Sequence, residues 1–336
     1  MPFQYARWAT PTWSALEAAL GALEDADVAV VPSGMAAIAA VLLPLLHPGD
    51  RALLPADGYG PTRALAAEHL TPRGVHVDLV ATQGLAHADL SGYDLVLVET
   101  PSNPGLRVAD LADVAARAHA NGRRDGAGAL VVVDNTLLTP LGQRPLELGA
   151  DVVVASDTKA VNGHTDALGG HVASRDPQVM ARVRGWRTLA GGILGTHEAW
   201  LIHRGLETLE VRFARMCASA LAFAELATGH PAVRAVAYPG LPDHPDAAIV
   251  ARQMTAAGGV VGLEFADAAA AERFIGAAAY VVAQTSFGGT HTAAERRARW
   301  GDDVPAGFVR LSVGVEPTAE LLADLTRALD AAAEPA

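Results

Sequence analysis

The sequence predicts an α/β protein with a mostly parallel central sheet covered by helices, followed by a smaller C-terminal α+β domain. Before Gly229, short apolar runs alternate with amphipathic or Ala-rich stretches of helical length, which is the pattern of βαβ units. These runs are apolar at successive positions, as strands buried on both faces of a sheet require. After Pro231 the order of apolar runs and helical stretches changes to one typical of an α+β domain.

The predicted elements follow the chain in order. Strands are predicted at residues 28–31, 51–54, 75–80, 95–99, 130–134, 152–155 and 170–174. Helices are predicted at residues 14–23, 35–46, 61–70, 109–120 and 177–184. Two further helices, at 196–206 and 207–228, follow, and we expect the second to bridge to the second domain. That domain has predicted strands at 233–237, 260–265, 281–285 and 308–313, and helices at 245–256, 268–279 and 318–332.

Length and composition limit the class of protein. The 336 residues are 51% hydrophobic, which is enough for a large core and more than one domain. We expect an N-terminal arm at residues 1–12, a large domain at 13–217 and a small domain at 218–336. The net charge of −12 argues against nucleic-acid binding. A single cysteine, Cys217, excludes an internal disulfide and a thiolate metal site, and no metal site is predicted.

The sequence also predicts where the protein resides. Its N-terminus has no basic-then-apolar signal pattern, and its longest apolar run is too short to span a bilayer. We therefore expect a cytoplasmic protein without a membrane partner.

Lys159 is the only lysine in the chain, so 24 of the 25 Lys and Arg residues are Arg. It lies four residues after the end of the apolar run 152–155. A lysine can lose its proton when desolvated and become a nucleophilic amine, which an arginine cannot do. One interpretation is a Schiff base with a carbonyl cofactor. The alternative is compositional bias that removed every other lysine.

Two segments at strand ends could bind a phosphate. Ser33, Gly34 and Met35 follow the first strand, where exposed amides at a helix N-terminus and a glycine allow close approach of an anion. An ordinary helix cap is the alternative. The segment lacks the G-x-G-x-x-G pattern of dinucleotide sites. Ser156 and Thr158 alternate, so that both hydroxyls can point to one side of an extended segment.

Four further residues could contact a flat cofactor or an amino acid. Tyr59 lies between two glycines and could stack on a ring or move a proton. Asp134 ends an apolar run and needs a partner, either a protonated pyridine nitrogen or a structural salt bridge or cap. Asn103 could present its amide or simply form a turn. Arg310, within an apolar strand, suits a carboxylate ligand or an internal ion pair.

Together these groups are the parts that a pyridoxal 5′-phosphate (PLP) enzyme acting on an amino acid needs. The chain also resembles the Cys/Met-metabolism family of fold-type I PLP enzymes, over nearly its whole length. The resemblance is strongest in Ser156-Asp157-Thr158-Lys159. It extends through residues 5–7, 33–35, 99–104, 133–136, 162–166, 286–289 and 310–314.

The resemblance implies a role for each position. Lys159 would hold the cofactor as a Schiff base and move protons, Asp134 would pair with the ring nitrogen, and Tyr59 would stack on the ring. Tyr5 and Arg7 would reach the phosphate of a neighbouring subunit in a homotetramer built from two dimers. The other expected cofactor contacts are Ser33, Gly34, Met35, Ser156 and Thr158, and the expected substrate contacts are Asn103, Ser286 and Arg310.

The activity that the resemblance implies is carbon–sulfur cleavage in trans-sulfuration, with cystathionine γ-lyase as the first choice. Alternatives are a β-lyase, a γ-replacement enzyme such as cystathionine γ-synthase or an O-acylhomoserine sulfhydrylase, and a PLP-fold protein that binds without turnover. The chain departs from the family pattern at Thr285, where many γ-lyases and γ-synthases have Glu, and at Pro61, where methionine γ-lyases have Cys. Members usually carry a longer segment before Tyr5, so we expect a shortened arm.

Overall fold

The computed structural model describes residues 3–121 and 128–334 and contains two β-sheets, one of seven strands and one of five. Within those ranges, no helix is both long and apolar enough to cross a membrane. The larger sheet lies in the first part of the chain and the smaller sheet in the second, as the sequence predicts.

The seven-stranded sheet is mostly parallel, which confirms the predicted fold class. Its strand order is β1-β7-β6-β5-β4-β2-β3. Only β7 runs against the others, since it pairs antiparallel with both β1 and β6. The strands are β1 Asp27–Val31, β2 Arg51–Pro55, β3 His76–Val80, β4 Leu95–Glu99, β5 Leu130–Asp134, β6 Val152–Ala155 and β7 Gly170–Ser174.

Helices cover both faces of this sheet. They are α1 Pro11–Glu24, α2 Gly34–Leu45, α3 Gly60–Leu65, α4 Leu111–Asn121, α5 Thr139–Gly142, α6 Pro177–Ala190 and α7 Thr196–Leu206. Val131 and Val133 belong to the core formed with α1, α4 and α7, whereas Val132 belongs to the core formed with α2 and α6. Successive side chains of a strand thus enter opposite cores, which explains the unbroken apolar runs.

The second sheet has the strand order β10-β11-β12-β9-β8. Its strands are β8 Val233–Ala237, β9 Val260–Phe265, β10 Val282–Ala283, β11 Ala293–Arg296 and β12 Phe308–Ser312. The remaining helices are α8 Leu209–Ala227, α9 Ala247–Gln253, α10 Ala268–Ala277 and α11 Thr318–Ala333. α8 contacts both parts, because Phe213 packs with Ala160 while Phe223 enters the core of the second sheet.

Some predicted elements were wrong in extent, and two short elements, α5 and β11, were not predicted. The helix predicted at 177–184 continues to Ala190. The predicted strand at 281–285 is reduced to Val282–Ala283. β11 has no β-branched residue, so its extended form depends on pairing with β12 and not on local preference. The helix predicted at 61–70 ends at Leu65 and continues as a π-helical turn, Ala66–Leu70.

Candidate active site

A cavity of about 510 Å³ lies at the carboxyl ends of the parallel strands, where α/β sheets bind ligands. The structure brings together nearly all the predicted site residues around it: Ser33, Gly34, Met35, Tyr59, Asn103, Asp134, Ser156, Thr158, Lys159, Ser286 and Arg310. Within the described chain, Tyr5 and Arg7 are not part of this lining. Tyr5 is half exposed and packs edge-on against Trp8, and Arg7 donates to the carbonyl of Thr188 at 3.2 Å.

The Lys159 amine points into this cavity. Its Nζ donates to Ser286 Oγ at 2.7 Å and lies 4.9 Å from the centre of the Phe287 ring. Burial, followed by the nearby charge of Arg310, lowers the pKa of Lys159 to about 8, against the opposing effect of Glu295 and Asp134. The amine is therefore able to lose its proton near neutral pH, as a Schiff-base lysine requires.

The turn that carries Lys159 is held from α8. Arg212 donates from Nη1 to the carbonyl of Ala160 at 2.7 Å and from Nη2 to that of Val161 at 3.2 Å. Gly163 has a φ of +76°, and a Cβ at that position would collide with the guanidinium. Only glycine readily adopts this positive φ and also leaves space for the guanidinium. The shape of the turn and the position of Arg212 therefore depend on each other.

The N-terminus of α2 forms a cradle for an anion. Ser33 Oγ caps the helix by accepting from the Ala36 amide at 3.1 Å, which is the capping role considered from the sequence. A Cβ on Gly34 would lie 2.6 Å from Ser156 Cβ, so glycine is what allows the helix end to approach β6 this closely. The hydroxyl of Thr158 lies in the same lining and donates to the carbonyl of Gly169 at 3.2 Å.

Two carboxyl groups stand side by side at the ends of adjacent strands. Asp134 of β5 is in register with Glu99 of β4, which was not among the predicted site residues. Burial, followed by repulsion from Asp134, raises the pKa of Glu99 well above its ordinary value. Burial also raises the pKa of Asp134, against hydrogen bonds from Thr136. Glu99 Oε2 accepts from the Tyr59 amide at 2.6 Å, which fixes the loop that carries the phenol.

Arg310 lies on the other side of Lys159. Its Nη1 donates to Asn103 Oδ1 at 2.8 Å, and its Nη2 donates to Glu295 Oε1 at 2.6 Å and weakly to the carbonyl of Ser286. The internal ion pair considered from the sequence is therefore present. Within the described residues, Arg310 Nε is buried and has no hydrogen-bond partner. Burial lowers the pKa of Arg310 to about 10, so the guanidinium stays charged near neutral pH.

The fold and this cavity place the protein among the PLP-dependent enzymes. The chain belongs to the Cys/Met metabolism PLP-dependent enzyme family, whose sequence model matches residues 1–330. It is 48% identical, over 99% of its length and 85% of the relative's, to a Streptomyces coelicolor protein named "Putative cystathionine gamma-lyase". It is 40% identical to L-methionine gamma-lyase of Pseudomonas deceptionensis, over 98% of this chain and 86% of that one.

Solved structures give the same family. The cystathionine gamma synthase of Xanthomonas oryzae pv. oryzae superposes with a TM-score of 0.92 at 35% identity, over 99% of this chain and 88% of that one. The cavity fits the cofactor of this family. Gly34 leaves open the space that a Cβ would fill at the helix end, and one nucleophilic amine with a lowered pKa faces the same space.

Proposed function

We propose that the protein is a carbon–sulfur lyase that cleaves cystathionine to cysteine, 2-oxobutanoate and ammonia. The observation that carries the proposal is that Ser286 links the Lys159 amine and the Arg310 guanidinium within one cavity. An amino acid whose carboxylate binds Arg310 would present its α-carbon close to the lysine amine. The 48% identical relative with a cystathionine gamma-lyase name supports this choice of reaction.

The residues of the cavity would divide the work of holding the cofactor. Lys159 Nζ would bind its aldehyde, Asp134 would hold the proton of its ring nitrogen, and Tyr59 would lie against its ring. Its phosphate would bind Ser156, Thr158 and the helix end formed by Ser33, Gly34 and Met35. When bound, the cofactor supplies the electron sink that makes the substrate α-proton removable.

Three residues would position the substrate, and two would move protons. Arg310, supported by Asn103, would bind the α-carboxylate through the terminal N–H groups of its guanidinium that Asn103 and Glu295 do not use. Ser286 would orient the released Lys159 amine, which would then accept the α-proton. Tyr59 would give a proton to the leaving sulfur.

The site would be completed across a subunit boundary. We infer that Tyr5 and Arg7 bind the phosphate in a neighbouring subunit, within a homotetramer built from two dimers. The arm that carries them is consistent with this arrangement, since Phe3, Tyr5 and Trp8 are 41%, 51% and 58% exposed in the single chain. Exposed aromatic side chains so close together are typical of a contact surface.

Product analysis tests the proposed reaction. The loaded enzyme would be given cystathionine, methionine, homocysteine and O-activated homoserine separately, with and without added cysteine, and the keto acid identified. We expect 2-oxobutanoate from cystathionine without an added nucleophile. Pyruvate from cystathionine would indicate a β-lyase. Cystathionine formed from O-activated homoserine and cysteine, without keto acid, would indicate γ-replacement, and no turnover of any compound would indicate a binding protein.

A further inference from the structure

A second ionic group lines the same cavity. The segment after β11 forms a short 3-10 turn, Arg297–Trp300, that ends at Gly301 with a φ of +82°. Arg297, Trp300 and Asp302 all face the cavity that contains Lys159. The side chains of Arg297 and Asp302 are only 12% and 16% exposed, so they form a wall of the cavity and not a solvated surface pair.

Glu295 connects this wall to the carboxylate-binding arginine. Its Oε1 accepts from Arg310 Nη2 at 2.6 Å and from Arg297 Nη1 at 2.5 Å, and its Oε2 accepts from the indole of Trp300 at 2.8 Å. Its side chain is 4% exposed. A buried carboxylate with three donors fixes the distance between the two guanidinium groups, so that they form one rigid unit.

The wall keeps unused hydrogen-bonding capacity. Asp302 receives both contacts from Arg297, at 2.6 and 2.5 Å, on Oδ2 alone. Its Oδ1 therefore remains an acceptor without a partner among the described residues. A guanidinium has five N–H groups. Arg297 donates from Nε to Asp302 and from Nη1 to Glu295, and its Nη2 makes an ion-pair contact with Asp302. An acceptor oxygen and donor hydrogens thus lie next to each other on the cavity wall.

We propose that Arg297 and Asp302 form the subsite for the distal amino-acid group of a zwitterionic thioether, an inference that rests on the function proposed above. Asp302 Oδ1 binds the distal ammonium, and the free donors of Arg297 bind the distal carboxylate. Glu295 is the positioning residue that sets this subsite relative to Arg310. Methionine and homocysteine have no distal charges, and their binding leaves these polar groups without partners, which is how a site rejects a shorter ligand.

The test compares two substrates in two variants. In Asp302→Asn and Arg297→Lys, we expect the KM for cystathionine to rise about tenfold, the effect of losing one charge-assisted hydrogen bond. In Asp302→Asn the KM for methionine should change by less than about twofold, because methionine does not reach Asp302. Arg297→Lys also alters a donor to Glu295, so there the KM for cystathionine should rise clearly more than the KM for methionine. Two substitutions in the same segment serve as matched controls. Arg299→Gln alters an exposed arginine that pairs with Glu272, and Asp303→Asn alters the exposed neighbour of Asp302.

The outcomes separate this inference from the proposed reaction. Equal rises in KM for both substrates, or no rise for cystathionine, would overturn the subsite while the enzyme remains a lyase. If the unsubstituted enzyme turns over no thioether, calorimetric titration with cystathionine still decides the question. The subsite then requires about tenfold weaker binding in Asp302→Asn than in Asp303→Asn, and equal binding contradicts it. Thermal unfolding of each variant identifies one that fails to fold, in which case the other variant gives the answer.

Discussion

At the scale of single residues, the charge state of Lys159 is set by the groups that face it. Burial and then the charge of Arg310 lower the pKa of its amine to about 8, while Glu295 and Asp134 act in the opposite direction. Binding of a carbonyl compound requires the neutral amine. Near neutral pH, a fraction of the Lys159 amine is therefore unprotonated and reactive, and this fraction increases with pH.

We expect cofactor uptake by the empty protein to follow this titration. Its rate should rise with pH around a midpoint near 8. Arg310→Gln removes a positive charge and should move the midpoint to higher pH, whereas Glu295→Gln removes a negative charge and should move it to lower pH. The measurement is the rate at which visible absorption appears after PLP is added at a series of pH values. Arg299→Gln is the control, and identical midpoints in all three variants would contradict the account.

Glu99 gives a second prediction for a single residue. The pKa of Glu99 is raised, so the folded state favours the protonated carboxyl group and disfavours the carboxylate. As pH rises above the ordinary pKa range of Glu, folding must hold this carboxyl group protonated or bury its charge, and the folded state loses stability. Glu99→Gln removes this cost and still accepts from the Tyr59 amide. We expect the empty variant to be more stable than the unsubstituted protein at neutral pH, with a gain that grows as pH rises.

Chemical unfolding at several pH values measures this gain. Glu147→Gln is the control, because Glu147 is in an exposed pair with Arg144 and should change the unfolding free energy by less than about 1 kcal/mol. A Glu99→Gln protein that is less stable at every pH would mean that Glu99 is ionised in the folded state.

The sequence could predict those site residues that are polar or charged and lie at the end of, or within, an apolar run. Lys159, Asp134 and Arg310 each follow or interrupt an apolar run, so the sequence alone marks them. Glu99 ends the same kind of run and could have been found by the argument used for Asp134. Glu295 could not, because its place beside Arg310 depends on the pairing of β11 with β12.

At the scale of elements, a buried charged group joins α1, the start of the Lys159 turn and β7. His171 Nδ1 lies 2.7 Å from Asp157 Oδ1, and its Nε2 lies 3.3 Å from Glu24 Oε1. Burial alone would lower the pKa of His171, but the carboxylates of Asp157 and Glu24 outweigh it and raise the pKa to about 10. The imidazolium holds Asp157, two residues before Lys159, against the last turn of α1.

Replacing this histidine should destabilise the fold. We expect His171→Gln to lose about 3–5 kcal/mol of unfolding free energy, because two buried carboxylates lose their cation. The raised pKa means that the stabilisation is complete below about pH 6.5 and is lost as pH rises toward about 10. The difference between the unsubstituted protein and the variant should therefore shrink over that range.

Denaturant unfolding from neutral to alkaline pH measures the effect. His47→Gln is the control, since His47 is exposed and pairs with Asp50 at 3.4 Å, and it should change stability by less than about 1 kcal/mol. A His171→Gln protein as stable as the control, or with a loss that does not depend on pH, would show that the imidazole is neutral.

The elements themselves were predictable where hydrophobic periodicity decides the structure. The seven strands of the first sheet were confirmed to within a residue or two. Six of them are apolar runs that are largely buried, whereas β3 is an exposed strand at the edge of the sheet in which apolar and polar residues are mixed. β11 was missed because its residues acquire an extended form only from a neighbouring strand. The π-helical turn after α3 lies just before Thr71 and Pro72, and the alanines of that stretch do not mark where a regular helix ends.

At the scale of the whole molecule, the division at residue 217 stays a prediction. It falls inside α8, whose first half packs with Ala160 and whose second half enters the core of the second sheet. We propose to retain the arm at 1–12 and the domains at 13–217 and 218–336, because the two sheets have separate cores.

The arm gives a prediction that depends on assembly. If Arg7 acts in a neighbouring subunit, Arg7→Ala and Lys159→Ala each abolish or strongly reduce activity alone. Mixed subunits would contain sites with Lys159 from one chain and Arg7 from the other. We expect activity to return when the two variants are dissociated together and reassembled, as measured by keto-acid release. Lack of recovery in verified mixed oligomers would place Arg7 in the site of its own chain.

The central claim is that Lys159 holds the cofactor, and one labelling experiment tests it most directly. The PLP-loaded protein would be reduced with borohydride, digested, and searched by mass spectrometry for the peptide that carries the pyridoxyl group. The account predicts the group on Nζ of Lys159, the only lysine in the chain, and no stable label in Lys159→Arg. A label on any other amine, or full labelling of Lys159→Arg, would contradict it.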